Sequence, residues 1–150
     1  MKKSVNEMKL TVLSCSANES FARASTAAFI AQLDPTIEEL ADIKTAVSEA
    51  VTNCIVHAYR QTIGYIYITV KIFDTNTVQI KIRDCGCGIE NIEQAKEPLF
   101  TTGGEERAGL GFAVMESFMD KLRVNSQKGK GTTVVMEKTL SRRIKRNLSA

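Results

Sequence analysis

Glu49, Asn53 and His57 recur at intervals of four in the stretch EAVTNCIVHA, residues 49 to 58. Four residues advance an α-helix by about 40° beyond one full turn, so the three side chains form one slowly drifting polar stripe. With Glu49 at zero, Ala50, Ile43, Cys54, Val47, Leu40, Ala58, Val51 and Ile55 fall within an arc from roughly 100° to 240°, an apolar face that the stripe borders. A carboxylate and an amide at the edge of a core are partly desolvated yet within reach of a ligand, unlike the Lys and Glu pairs of a solvated face. Glu49 is suited to accept a hydroxyl proton. The carbonyl oxygen of Asn53 is a hard ligand of the kind Mg²⁺ takes when it rides on a nucleotide.

A second group of candidates lies in residues 84–111, DCGCGIENIEQAKEPLFTTGGEERAGLG, which hold six of the nine glycines. Glycines gather where backbone turns through positive φ or comes close to a ligand, and a loop this long inside a domain is usually functional or mobile. The pairs Gly86/Gly88, Gly109/Gly111 and Gly129/Gly131 are followed three positions on by Asn91, Val114 and Val134, which excludes the dinucleotide fingerprint. The Walker A pattern and the motifs of ordinary protein kinases are also missing. A different phosphate site fits. Asp84 ends a strand and enters a glycine turn, where its carboxylate can accept from an amine such as N6 of adenine. Gly109 and Gly111 precede a helix whose free N–H groups and dipole favour phosphate.

These groups need a scaffold. MKLTVLSC, residues 8–15, alternates as a strand, and ANESFARASTAAFIAQL has helical spacing up to Asp34-Pro35, where a residue before proline is pushed out of helical angles. Thr36 with Glu39 reads as a capping box opening a second helix that runs through the quoted stretch. YIYITVKIF and TVQIKIRD are period-two strands joined by a short polar turn. GLGFAVMESFMDKL reads as a helix with Phe112, Met115, Phe118, Met119 and Leu122 on its core side, and LRVNSQ, a KGKG turn and TTVVMEKTL form a second hairpin. Two hairpins and three helices imply a two-layer α/β sandwich with one sheet face covered.

The 150 residues suffice for one full core, and two domains are not expected. No apolar run approaches the roughly 20 residues of a membrane helix, and MKKSVNEMKL has no apolar signal region, so a cytoplasmic protein is expected. Cys54, His57, Cys85 and Cys87 have zinc-binding side chains, but Cys-x-x-His within a helix and Cys-x-Cys in a loop are not the usual paired spacing. Disulfides do not suit that compartment. The last ten residues, SRRIKRNLSA, carry four of the 20 Lys and Arg and no acid, which leaves 16 against 17 Asp and Glu in the body. A domain at residues 1–140 with a basic tail at 141–150 is the expected division, and direct nucleic-acid or membrane binding is not expected.

EAVTN, DCGCGI and RAGLGF, in that order, resemble the N, G1 and G2 boxes of the GHKL ATPase and kinase superfamily. NESFARASTAAFIAQLDPTIEELADIKTAVSEAVTN, EPLFTT and GLGFAVMESFMDKL extend the likeness to the anti-sigma F factors of spore-forming bacteria over most of residues 8–138. The resemblance implies a Bergerat fold, a mixed and mostly antiparallel sheet with helices on one face, in a homodimer. It implies inhibitory binding of the sporulation sigma factor F, and ATP-dependent phosphorylation of a serine on an anti-anti-sigma factor. Carried onto matching positions, Asn53 is the Mg²⁺ ligand, Glu49 the general base and Asp84 the adenine reader. Gly86 and Gly88 shape the adenine pocket, Gly109, Leu110 and Gly111 wrap the phosphates, and Thr132 supports adenine. Arg107 contacts the γ-phosphate or a partner, and Arg23 lies on the partner-binding face. For His57 two roles stay open: orienting lid or Mg²⁺ waters, or satisfying a nearby backbone group. The chain departs from the family in reading His57-Ala58-Tyr59 for His-Gly-Tyr, in Gly103 after the FTT, in a shorter lid and in Cys85 and Cys87 beside the adenine turn. An ATP-gated binding module without kinase turnover, and an anti-sigma kinase for a stress sigma factor, are the alternative readings.

Overall fold

The computed structural model describes residues 2–89 and 105–142, with the backbone alone for residues 105–110. Among these, the elements follow in the order β1 (Ser4–Leu13), α1 (Ala17–Ile30), α2 (Ile37–Asn53), β2 (Tyr65–Phe73), β3 (Thr77–Asp84), α3 (Glu105–Phe118), β4 (Lys121–Gln127) and β5 (Gly131–Thr139). The strands form one sheet in the order β1-β2-β3-β5-β4, and each neighbouring pair is antiparallel. The expected two-layer α/β sandwich is therefore present.

Period-two alternation explains which face is covered. Ile80 lies opposite Val70 and Met136, and Ile82 opposite Ile68 and Val134, so successive rows of apolar side chains point the same way. All six are buried in a core completed by Ala22 and Ile30 of α1, by Ile43, Ala46, Val47, Ala50 and Val51 of α2, and by Phe112 and Met115 of α3. Burying each large aliphatic side chain contributes about 1.5–3 kcal/mol.

Two elements differ from the periodicity reading. β1 starts at Ser4, because Asn6 and Glu7 pair with Ile72 and Lys71 through backbone at an exposed sheet edge, where no apolar alternation is required. Leu122 belongs to β4, opposite Met136, and not to the third helix, which ends at Phe118. Met119 is buried as expected, while Phe118 is only half-buried.

α1 gives way to a 3₁₀ turn, Ala31–Leu33, which Asp34 closes at φ 52° just before Pro35. The capping box then opens α2: Thr36 Oγ1 accepts from the Glu39 N–H at 3.0 Å, and a Glu39 carboxylate oxygen accepts from the Thr36 N–H at 2.9 Å. At its other end α2 does not run on in one period through His57. Cys54–Ala58 forms a π-turn, with the Tyr59 N–H donating to Cys54 O at 3.1 Å. A π-turn holds an extra residue, so Glu49 and Asn53 keep the helical stripe and His57 departs from it.

Candidate functional site

Asp84, the last residue of β3, is buried among donors. Its Oδ1 accepts from the N–H of Gly86 at 2.9 Å and of Thr132 at 3.2 Å, and its Oδ2 accepts from the Cys54 thiol at 3.5 Å. Burial pushes the Asp84 carboxyl above its ordinary value, and these bonds oppose the shift without cancelling it. Burial pushes the Cys54 thiol well up, and the Asp84 charge acts in the same direction, so Cys54 is a neutral donor. Oδ2 thus keeps acceptor capacity for an amine.

The surrounding backbone fits closely. A Cβ on Gly86 would stand 2.4 Å from the Ala58 carbonyl oxygen, so the turn and the end of the π-turn touch through bare backbone. Gly131 has φ +104° and would place a Cβ 2.2 Å from Asp84 O, which makes it a glycine position on both counts. Gly88, at φ +75°, faces Gln127 O. Thr132 stands opposite Ser126 across the β4–β5 hairpin, and their hydroxyls share a bond of 2.7 Å. Ser126 donates its hydrogen to Gly131 O at 3.1 Å and accepts from the Ile89 N–H at 2.7 Å. Thr132 therefore donates to Ser126, and its oxygen is left to accept.

Glu49 and Asn53 meet α3. A Cβ on Gly111 would lie 3.1 Å from a Glu49 carboxylate oxygen and 3.2 and 3.3 Å from the two polar atoms of the Asn53 amide. The Asn53 Nδ2 is buried without a hydrogen-bond partner. A buried amide with an unmatched polar atom beside a carboxylate suits a ligand that brings its own partners. No group of three or more His, Cys, Asp or Glu that could hold a metal occurs among the described residues. That donor set fits Mg²⁺ carried on a nucleotide, with one or two protein oxygens, better than a resident metal cage. Asn53 is followed directly by Cys54, whose thiol bonds to Asp84, so neighbouring residues at the end of α2 serve the two clusters.

Gly109 and Gly111 do not precede a helix; both lie within α3, which begins at Glu105. Acidic residues are favoured in the first turn of a helix and alanine throughout it, so the sequence Glu105-Glu106-Arg107-Ala108 accounts for the earlier start. The side chains of Arg107 and Leu110, and the EPLFTT segment with Gly103, lie outside the described residues. Arg23 is on α1, partly exposed, in an i,i+4 ion pair with Glu19 at 3.8 Å. Glu19 also accepts from Ser48 of α2, which fixes the acidic partner.

Cys54, Tyr59, Ser126 and Gly131 were not singled out as site residues from sequence. The Tyr59 hydroxyl donates to Tyr65 O at 2.8 Å and accepts from the Cys85 N–H at 2.7 Å, pinning the turn after Asp84. Gly131 carried the signal of the Gly129/Gly131 pair, Cys54 only that of a core residue and an unsuited zinc spacing, and Ser126 only its place in the second hairpin; the bonds of Cys54 and Tyr59 to the turn are long-range.

Known proteins are similar to this chain in sequence and in fold. A family model described as a histidine kinase-like ATPase domain matches residues 16–138. The chain is 62% identical over 138 residues to the anti-sigma F factor of Caldanaerobacter subterraneus subsp. tengcongensis, a match that covers 91% of this chain and 96% of that protein. It is 54% identical over 137 residues to the anti-sigma F factor of Clostridium perfringens (strain SM101 / Type A), covering 91% and 98%. Among solved structures, the RsbU and RsbW domains of Rv1364c from Mycobacterium tuberculosis match with a TM-score of 0.69 at 20% identity, over 93% of this chain and 34% of that one. The histidine kinase domain from Erythrobacter litoralis EL346 matches with a TM-score of 0.54 at 18% identity, over 81% and 60%. At these identities the two structures speak for the fold alone.

Proposed function

The chain belongs to the histidine kinase-like ATPase family and, within it, to the anti-sigma F factors; from that premise we propose that it is an ATP-dependent protein serine kinase that also sequesters a sigma factor. Its inhibited partner would be the sporulation sigma factor F and its substrate a serine on an anti-anti-sigma factor, in a cytoplasmic homodimer. The names of the 54–62% identical relatives support the first of these. The ATP-binding unit would be residues 1–140 and the basic segment 141–150 a tail.

The observation that carries the reading is the close approach of Gly111, with no room for a freely placed Cβ, to both Glu49 and Asn53, whose next residue Cys54 bonds to Asp84. Asp84 Oδ2 accepts from the adenine amine while Thr132 offers an acceptor beside it. The Asn53 oxygen would hold Mg²⁺ carried on the nucleotide, and the ion would supply neutralisation of phosphate charge there. Glu49 accepts the proton of the substrate serine as its oxygen bonds to the γ-phosphorus and the bond to the bridging oxygen of ADP breaks. Wrapping of phosphates by Gly109, Leu110 and Gly111, with Arg107 near the γ-phosphate, requires the first turns of α3 to release intrahelical N–H groups. The two glycines lower that cost by about 1 kcal/mol each relative to alanine. Binding and positioning need little covalent chemistry from the protein.

Incubation with labelled ATP, Mg²⁺ and the anti-anti-sigma protein tests this. Wild type is expected to place label on serine, and Glu49→Gln to bind ATP equally while transferring at least about a hundredfold more slowly, the usual scale of a lost general base. Nucleotide binding without transfer by the wild type would favour an ATP-gated binding module instead.

A further inference from the structure

Three of the four cysteines gather at the turn after β3, and they differ in access. Cys54 is buried, whereas Cys85 and Cys87 are free and exposed. Only Gly86 separates the exposed pair, and the chain bends at Gly86 and Cys87. Their sulfurs have different partners: Cys85 Sγ accepts from the Arg83 guanidinium at 3.7 Å, and Cys87 donates to His57 O at 3.3 Å. Their backbones are fixed as well, with the Cys85 N–H on the Tyr59 hydroxyl, the Cys87 N–H on Ala58 O at 3.2 Å, and Cys87 O accepting from the Gly129 N–H at 2.6 Å.

We propose that Cys85 and Cys87 form a reversible dithiol–disulfide site, oxidised by hydrogen peroxide, whose closure weakens nucleotide binding by distorting the turn that holds Asp84. This rests on the reading of Asp84 as the adenine acceptor. In the first step Cys85 sulfur attacks peroxide; an S–O bond forms, the O–O bond breaks, and the departing hydroxide leaves as water with the thiol proton. In the second, Cys87 sulfur attacks Cys85 sulfur; the S–S bond forms, the S–O bond breaks, and the hydroxyl leaves as water with the Cys87 proton. The two thiols lose two electrons and peroxide is reduced to two waters. Exposed thiols with a resolving neighbour are where such oxidation is reversible, and a dithiol reductant reopens the bond by exchange.

The cost falls on Asp84 because a disulfide fixes its Cβ atoms about 3.5–4.5 Å apart with a narrow dihedral range. Both sulfurs must leave Arg83 and His57, and the intervening Gly86 peptide must rotate. Gly86 cannot shift toward the π-turn, since even a Cβ there meets Ala58 O at 2.4 Å. Rotation therefore removes the Gly86 N–H from Asp84 Oδ1 and leaves a buried carboxylate with one donor fewer.

Treatment of the full chain with a small excess of hydrogen peroxide tests the site. The intact mass is expected to fall by two hydrogens, with a Cys85–Cys87 bond in the peptide map and faster amide exchange at Gly86 and Thr132. The Kd for Mg-ATP is expected to rise at least about tenfold, the scale of one hydrogen bond to a charged group, and to recover with dithiothreitol. In Cys85→Ser/Cys87→Ser the affinity is the same before and after peroxide. Absence of the bond, unchanged affinity in the crosslinked protein, or equal peroxide sensitivity of the double variant overturns the inference. If reduced protein takes up no Mg-ATP, the ATP-binding reading falls, while mass and amide exchange still report on the dithiol.

Discussion

The Cys54 thiol reaches Asp84 Oδ2 across 3.5 Å and so fastens the end of α2 to the end of β3. Sequence places these residues thirty positions apart. Their contact sets a neutral donor against a buried carboxylate whose environment favours its protonated form.

Asp84→Asn is expected to abolish Mg-ATP binding while making the fold more stable at neutral pH. Because the folded-state value is raised, the native state holds its proton more tightly than the unfolded chain does. Stability linked to Asp84 is thus full below the ordinary carboxyl value near ~4 and is lost as pH rises through the raised value. Thermal melts should show the variant gaining on wild type between pH 4 and 7; a gain that shrinks over that range contradicts the assignment.

Gly111→Ala tests the contact between α3 and the polar stripe. Alanine adds about 1 kcal/mol of helix propensity, but its Cβ must displace Glu49 or Asn53 by a few tenths of an ångström from 3.1–3.3 Å. Near-unchanged melting with a several-fold weaker, Mg²⁺-dependent ATP affinity is the expected result by calorimetry. Full affinity at full stability removes Gly111 from the site.

Thr36→Ala breaks the capping box and is expected to cost about 1 kcal/mol in denaturant unfolding. Burial alone would raise the Glu39 value, but bonds from the Thr36 and Ser141 N–H groups and hydroxyls bring it below normal. The stability this carries is present above the ordinary value and is lost as pH falls through the lowered one. Glu39→Gln should therefore flatten the acid limb of the stability profile, an effect small enough to need paired titrations.

Arg23→Ala changes a partly exposed side chain whose partner Glu19 keeps its bond to Ser48. Stability is expected to move by no more than about 0.5 kcal/mol, with unaltered ATP affinity and a weakened complex with sigma factor F in a pull-down titration. Undiminished capture would take Arg23 off the partner face.

Local physics made much of the molecule legible. β2 and β3 fall on the stretches marked by strict alternation, Thr36 and Glu39 cap the helix they were expected to cap, and the core arc of α2 is buried at Ile43, Val47, Ala50, Val51 and Cys54. What stayed hidden is non-local. The order β1-β2-β3-β5-β4 is fixed by which edges pair across long connections, and the Tyr59–Cys85 and Cys54–Asp84 bonds join residues 26 and 30 positions apart. The early start of α3 is masked in the sequence by Gly109 and Gly111, which suggest a break, although the acidic residues ahead of them favour helix.

Where α2 ends in the π-turn Cys54–Ala58, the carbonyls of His57 and Ala58, which lie at the helix end where carbonyls lack intrahelical partners, both accept from Cys87, the first from its thiol and the second from its N–H. One surplus residue has turned the tail of a rod into a socket. The surplus residue sets those two carbonyls, and the close approach of Ala58 to Gly86, against the turn that follows β3, so the irregularity is where the helix end and the strand end meet.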